Sequence, residues 1–233
     1  MDDPDLPATG RTPSVALKPR LRQLLLDRDL AGVARAADHG HRVMGVLIAL
    51  TYDQPTVAWR AVEALGVAAD RLADRHPDAV RNYLRRLLWL ISEESGGVCW
   101  FAPQGMAEIV RQRPERFGDY IPITANLVTE LAEEDLEHFR PGALWAIGRL
   151  GSLAEPHLED IRPAIEQALE HPDPRVRGMA AWAAGEAGPS ELVASRPALL
   201  ADQGELELYV EGELRNVTVA TLARAAAGGT AAL

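Results

Sequence analysis

The chain has 233 residues, with 24 Lys and Arg against 34 Asp and Glu and a formal charge of −10; an acidic surface repels phosphate backbones, so nucleic acid is not expected as a partner. Aromatic residues make up 5% while Ala and Leu abound, which suits helices packed through small side chains better than a β-sandwich rich in Val, Ile, Thr and rings. Cys99 stands alone, which rules out an internal disulfide or a multi-cysteine zinc site and points to a reducing, cytoplasmic setting.

The first residues, Met1-Asp2-Asp3-Pro4-Asp5, have neither the basic nor the apolar region of a secretory signal. No apolar run approaches the roughly 20 residues a membrane span requires, so no membrane contact is expected. Residues 1–18 lack periodicity and read as a disordered arm, followed by one domain over 19–233. From Pro19, Leu21, Leu24 and Leu25 fall at i, i+3 and i+4, and Leu30, Val33 and Ala34 repeat the pattern. This predicts capping helices over 19–53, of which the almost wholly apolar His41 to Leu50 is buried on most sides.

Next comes an internal repeat over 54–189. Four segments align without gaps, Val57–Gly66, Val98–Ala107, Phe139–Gly148 and Val176–Gly185, their last residues spaced by 41, 41 and 37. Amphipathic stretches at 77–94, 117–133 and 157–170 precede the last three. A period near 40 with two helices per unit is the signature of HEAT or armadillo arrays. The expected fold is therefore all-α, a right-handed α-α superhelix of antiparallel helix pairs. The small residue closing each segment lets the next helix approach closely. Pro103 in the second segment predicts a helix start near Ala102.

The residues Phe139-Arg140, Ala143-Leu144 and Ala146-Ile147-Gly148, and their counterparts Val176-Arg177, Ala180-Ala181 and Ala183-Ala184-Gly185, resemble the second helix of HEAT-like repeats of the phycobilisome-lyase type. The segment Glu94 to Ile109 resembles one found in uncharacterised bacterial HEAT-repeat proteins. The resemblance covers about residues 40–190. It implies a solenoid, and it leaves function open because such scaffolds serve many tasks.

The C-terminal cap, 190–233, departs from the repeat. Ser190 is expected to cap a helix running to Leu200. Glu205 to Val210 and Glu213 to Val217 alternate polar and apolar residues around Glu211-Gly212, which predicts a small β-hairpin closing the array. A fifth helix pair is the alternative, since Leu214 to Ala223 fits the repeat loosely. Thr218 would cap a last helix over Val219 to Ala227.

The third and seventh columns of the aligned segments lie four residues apart and share a helix face. They hold Trp59/Glu63, Trp100/Gln104, Pro141/Trp145 and Gly178/Trp182, one tryptophan per repeat. On the concave side they would form an aromatic ladder for a partner's helix or extended segment. The competing reading packs the rings between repeats. The loop candidate is Glu93, Glu94, Ser95, Gly96 and Gly97, whose glycines free the backbone to approach a ligand, a cation or a basic side chain, or simply make a sharp turn. Cys99 beside it has carboxylates for neighbours and reads as a buried, inert thiol.

The six histidines, His39, His41, His76, His138, His157 and His171, fall at predicted helix ends. Di-iron hydroxylases built on HEAT repeats carry His-Glu pairs inside helices; in Glu137-His138 and Glu170-His171 that order is reversed. No metal, cofactor or catalytic residue is expected. The acidic run Glu130, Glu133, Glu134, Asp135 and Glu137 reads as a solvated turn, and Arg81, Arg85 and Arg86 as partners of nearby acids. The leading functional reading is a non-catalytic scaffold that binds another protein or peptide in its groove. A lyase or chaperone-like protein acting on a cofactor-bearing protein would need a closed pocket holding Cys99 or a Glu/His pair. A DNA-binding, glycosylase-like solenoid would need a basic groove.

Overall fold

The computed structural model describes residues 14–91, 99–133 and 137–228. Helix α1 (Ser14–Leu26) begins inside the stretch read as an arm and runs through Pro19, where its ladder forgoes one bond. The carboxylate of Asp29 caps α2 (Leu30–Asp38), accepting from the Gly32 amide at 2.7 Å. Helix α3 (Arg42–Leu50) buries Val43, Met44, Leu47, Ile48 and Leu50.

The repeats follow as α4 (Pro55–Leu72), α5 (Pro77–Trp89), α6 (Ala102–Gln112), the single turn α7 (Pro114–Phe117), α8 (Ile121–Glu133), α9 (Arg140–Leu150), α10 (Leu158–Leu169) and α11 (Pro174–Ala187). Proline stands in the first two positions of α4, α5, α6, α9 and α11. Its fixed φ suits a helix start and its missing N–H is not needed there. The four aligned segments fall on α4, α6, α9 and α11. Each of these packs on the next to form an inner row, with α3, α5, α8 and α10 paired behind them. One apolar cluster, from Leu21 to Ala223, runs through the whole stack.

The closing columns do the work predicted for them. A Cβ added to Gly66 would lie 2.7 Å from the Glu108 carbonyl oxygen, and one added to Gly185 would lie 2.9 Å from the Ala226 Cβ. At Gly148 the added Cβ would meet the Trp182 ring at 2.4 Å. That ring is buried and rigid, so Gly148→Ala should lower stability by about 1–3 kcal/mol, although alanine favours a helix by roughly 1 kcal/mol. Urea unfolding measures the change, and an unaltered or raised midpoint would show that the two helices have room to part.

Beyond Gly188, whose φ of 117° ends α11, the predicted helix to Leu200 is broken. Ser190 makes no side-chain cap, α12 (Glu191–Ala194) is one turn, and Pro197–Ala201 is a 3-10 turn. Pro197 disfavours a helical conformation for Arg196, which stops propagation. Strands β1 (Glu205–Val210) and β2 (Glu213–Thr218) then pair antiparallel, from Glu205 opposite Thr218 to Val210 opposite Glu213. Glu211 and Gly212, with φ of 52° and 82°, form the two-residue turn with both φ positive that suits strand twist. Thr218 caps α13 (Val219–Ala226) by accepting from the Thr221 amide at 3.2 Å. The hairpin is thus present, and the fifth helix pair is not. Its position differs from the expectation: α13 covers α11 at the end of the inner row, while the hairpin turns back along the groove.

Candidate functional site: the aromatic groove and its hairpin

Three of the four column tryptophans form a continuous aromatic row with Phe101, and the chain's own hairpin lies on it. Phe101 and Trp59 meet at 5.0 Å, Trp59 and Trp145 at 5.0 Å, Trp145 and Trp182 at 6.2 Å between ring centroids. Tyr209 of β1 stacks on Trp59 at 5.2 Å and 10°, and its hydroxyl donates to Glu63 Oε2 at 2.6 Å. The Trp145 indole Nε1 donates to the Tyr209 carbonyl at 3.1 Å. Leu206 fills the space over Gly178, where a Cβ would be only 2.6 Å away. At the hairpin tip, Arg60 donates to the Gly212 carbonyl at 3.4 Å and to the Leu25 and Leu26 carbonyls at 3.0 and 2.8 Å.

The ladder is accordingly no open stripe. Trp145 is 1% exposed and Trp182 5%, Trp59 is half-buried, and Trp100 remains 52% exposed. Indoles bury 150–250 Å² when covered, so a row of them needs a second surface. The hairpin supplies one through Tyr209 on Trp59, with Leu206 over Gly178, and both side chains are buried.

Trp100 stands apart because Cys99–Phe101 lead into α6, which starts at Ala102 as Pro103 implied. Its ring packs on His138 at 4.6 Å and Phe139 at 5.3 Å. It borders a cleft of about 530 Å³ between the starts of the inner helices and the hairpin. The cleft is lined by Trp59, Trp100, Phe101 and Gln104 on one side and by Glu205 and Glu207 on the other. The Gln104 side chain is 5% exposed, and its Oε1 has no hydrogen-bond partner. Its amide lies over Gly142, which also lines the cleft; a Cβ there would be 2.5 Å from Gln104 Nε2. Of the predicted partner residues, the fold brings Trp59, Trp100 and Gln104 to the cleft. Glu63 and Trp145 hold the hairpin, and Trp182 is buried against Gly148.

Residues 137–183, which run through α9 and α10 into α11, match the family model described as HEAT-like repeat. The chain carries HEAT-like repeats. A relative from Archaeoglobus fulgidus, described as an uncharacterized protein, is 34% identical over 94 residues, 39% of this chain and 49% of the relative. The chain therefore spans about half the length of the curated relative it matches.

The HEAT-like framework also creates a polar contact that periodicity alone did not flag. Glu108 on α6 is 1% exposed, and its Oε1 accepts from Arg149 Nε of α9 at 2.6 Å. These are equivalent positions in successive repeats, and that repeat spacing is the signal that would have found the pair. Arg111 lies 3.7 Å from the other carboxylate oxygen, and the Arg149 guanidinium sits 5.4 Å from the Trp145 ring centre. Burial pushes the Glu108 carboxyl up, against the pull of the two arginines.

Of the other described candidates, His138 alone lines the cleft. Glu93, Glu94, Ser95, Gly96 and Gly97 lie outside the described residues, as do Glu134 and Asp135. Cys99 is buried with Sγ 3.6 Å from Thr51 Oγ1, and burial pushes its thiol up; a thiol so placed makes little thiolate. Among the described residues no group of three His, Cys, Asp or Glu is arranged to hold a metal ion. Arg81 pairs with Asp119, Arg85 with the Asn82 side chain, and Glu137 with Arg140 and His171. Arg81 thus follows the acid-pairing expectation, whereas Arg85 takes an amide partner.

Proposed function

We propose that this chain is a protein-binding scaffold that takes a segment of another protein in the groove left open beside its hairpin. The observation that carries the reading is Trp100, half-exposed at the border of a 530 Å³ cleft whose remaining aromatic walls, Trp59 and Phe101, are held rigidly by neighbouring rings. Rigid aromatic surface beside a concavity is the usual anchor of a protein interface, because it offers large area at little entropic cost. Trp59, Trp100 and Gln104 touch the partner in this reading, while Glu63, Trp145 and Trp182 position the hairpin that forms the opposite wall. Glu205 and Glu207 on that wall argue against a phosphate backbone as the occupant. No described helix is long and apolar enough to cross a membrane. A cytoplasmic location, suggested by the lone cysteine, belongs to the same reading.

A photo-crosslinking residue placed at Trp100, compared with one at exposed Arg85 on the back row, tests it in the native cell. Protein adducts specific to the Trp100 position are expected. Absence of adducts there, or the same proteins captured at both positions, would overturn the reading.

A further inference from the structure

We infer that the cleft selects a cationic side chain, an arginine or lysine carried on the partner segment. This rests on the reading of the cleft as the partner site and adds the chemistry that site recognises.

Charge comes first. The hairpin wall presents Glu205 and Glu207, both exposed and neither in an ion pair among the described residues. The one fixed cation in the lining, Arg175, is already committed to the Asp173 carboxylate, with Nε at 2.9 Å and Nη2 at 2.6 Å. The charge left unpaired in the cleft is therefore negative, on a chain whose formal charge is −10, and that field draws basic partners toward it.

The opposite wall is aromatic. Trp59, Trp100 and Phe101 offer ring surface, and a guanidinium or ammonium is attracted to the face of such rings. The molecule uses that pairing elsewhere: Arg149 lies over Trp145, and Arg81 over Phe117 and Tyr120.

Beneath both walls, the Gln104 amide supplies an independent observation. A buried acceptor without a donor is costly to a fold, and a turn of the Gln104 amide about its last bond would present that oxygen to a donor entering the cleft. A guanidinium or ammonium is a donor with no acceptor, which matches the two carboxylates. An anionic side chain would face Glu205 and Glu207, and an apolar one would leave Gln104 unmatched.

The test is a titration of the full chain, labelled for detection of tryptophan indole N–H resonances, with three small probes: N-acetyl-arginine amide, the neutral isostere N-acetyl-citrulline amide, and N-acetyl-glutamate amide. Saturable shifts at Trp59 and Trp100 are expected with the arginine probe. Binding should weaken roughly tenfold with citrulline, and by a similar factor in the E205Q/E207Q variant, the loss of two exposed ion pairs. An unmoved Trp145 resonance in that variant shows that the hairpin is still seated. Equal response to citrulline, preference for glutamate, no effect of E205Q/E207Q, or no saturable shift with arginine overturns the inference. Protein adducts at Trp100 combined with any of those results would leave the scaffold reading standing and remove only the cationic selectivity.

Discussion

Replacing Trp145 with alanine is expected to lower stability by about 3–5 kcal/mol, the range for deleting a large buried ring. The ring is 1% exposed and lies between Trp59 and Trp182, 5.0 and 6.2 Å away. Little can collapse into the space it leaves, because both neighbours are fixed on separate helices. Its indole N–H also satisfies the Tyr209 carbonyl, so the variant strands a backbone acceptor as well as opening a cavity. Urea unfolding gives the loss of stability, and faster hydrogen exchange in β1 than in α10 would show that the hairpin is released first. Trp100→Ala provides the contrast: with half its surface in water, it should change stability far less. Equal losses for the two variants would contradict the division between a hairpin-holding ring and a partner-facing ring.

The second large effect is expected from Arg149→Met. Breaking a buried pair by removing one partner costs about 3–5 kcal/mol, because the remaining charge is left without compensation. Here the stranded group is the Glu108 carboxylate, 1% exposed, with Arg111 at 3.7 Å as its remaining cation. The loss should depend on pH in a defined sense. Burial already holds the Glu108 carboxyl above its ordinary value of 4.5, and losing Arg149 raises it further. A carboxyl raised in the folded state favours folding when protonated, so its contribution is full below the unfolded value and disappears as pH rises through the folded value. The gap between wild type and Arg149→Met is therefore widest at neutral pH and narrows toward pH 4.5. Asp53 and Asp202, lowered by Arg22 and Arg177, act in the opposite sense: they stabilise above their unfolded value, and that contribution is lost as pH falls through their folded values. They do so equally in both proteins and cancel in the comparison. A gap that stays constant with pH would mean that Glu108 is not the group left stranded.

Much of the array was legible in the sequence because its cause is local. The Ala and Gly columns ending at Gly66, Ala107, Gly148 and Gly185 record direct contacts between successive helices. Pro103 marked the start of α6, and alternation around Glu211-Gly212 marked the hairpin. What escaped the reading depends on contacts between distant surfaces. Nothing near Trp59 or Glu63 indicates that Tyr209, 146 residues from Glu63, will dock there. The even tryptophan spacing was consistent both with an open ladder and with packed rings, and the hairpin makes most of the row packed. Ser190 makes no cap because its own backbone is helical, with φ −60° and ψ −23°, and the helix after it lasts one turn. Only the Glu108–Arg149 pair could have been found in advance, by asking which charges recur one repeat apart.

A stack of helix pairs in contact only with its neighbours behaves as a spring: it stretches, frays from either end, and can begin to assemble as it leaves the ribosome. The hairpin changes that. By tying β1 to α4 through Tyr209, Trp59 and Glu63, it fastens the late part of the chain to the early part across the intervening repeats. The face of Trp59 that Tyr209 covers then stays open during synthesis until the last strands emerge, and under load the repeats between α4 and β1 cannot extend until the hairpin departs.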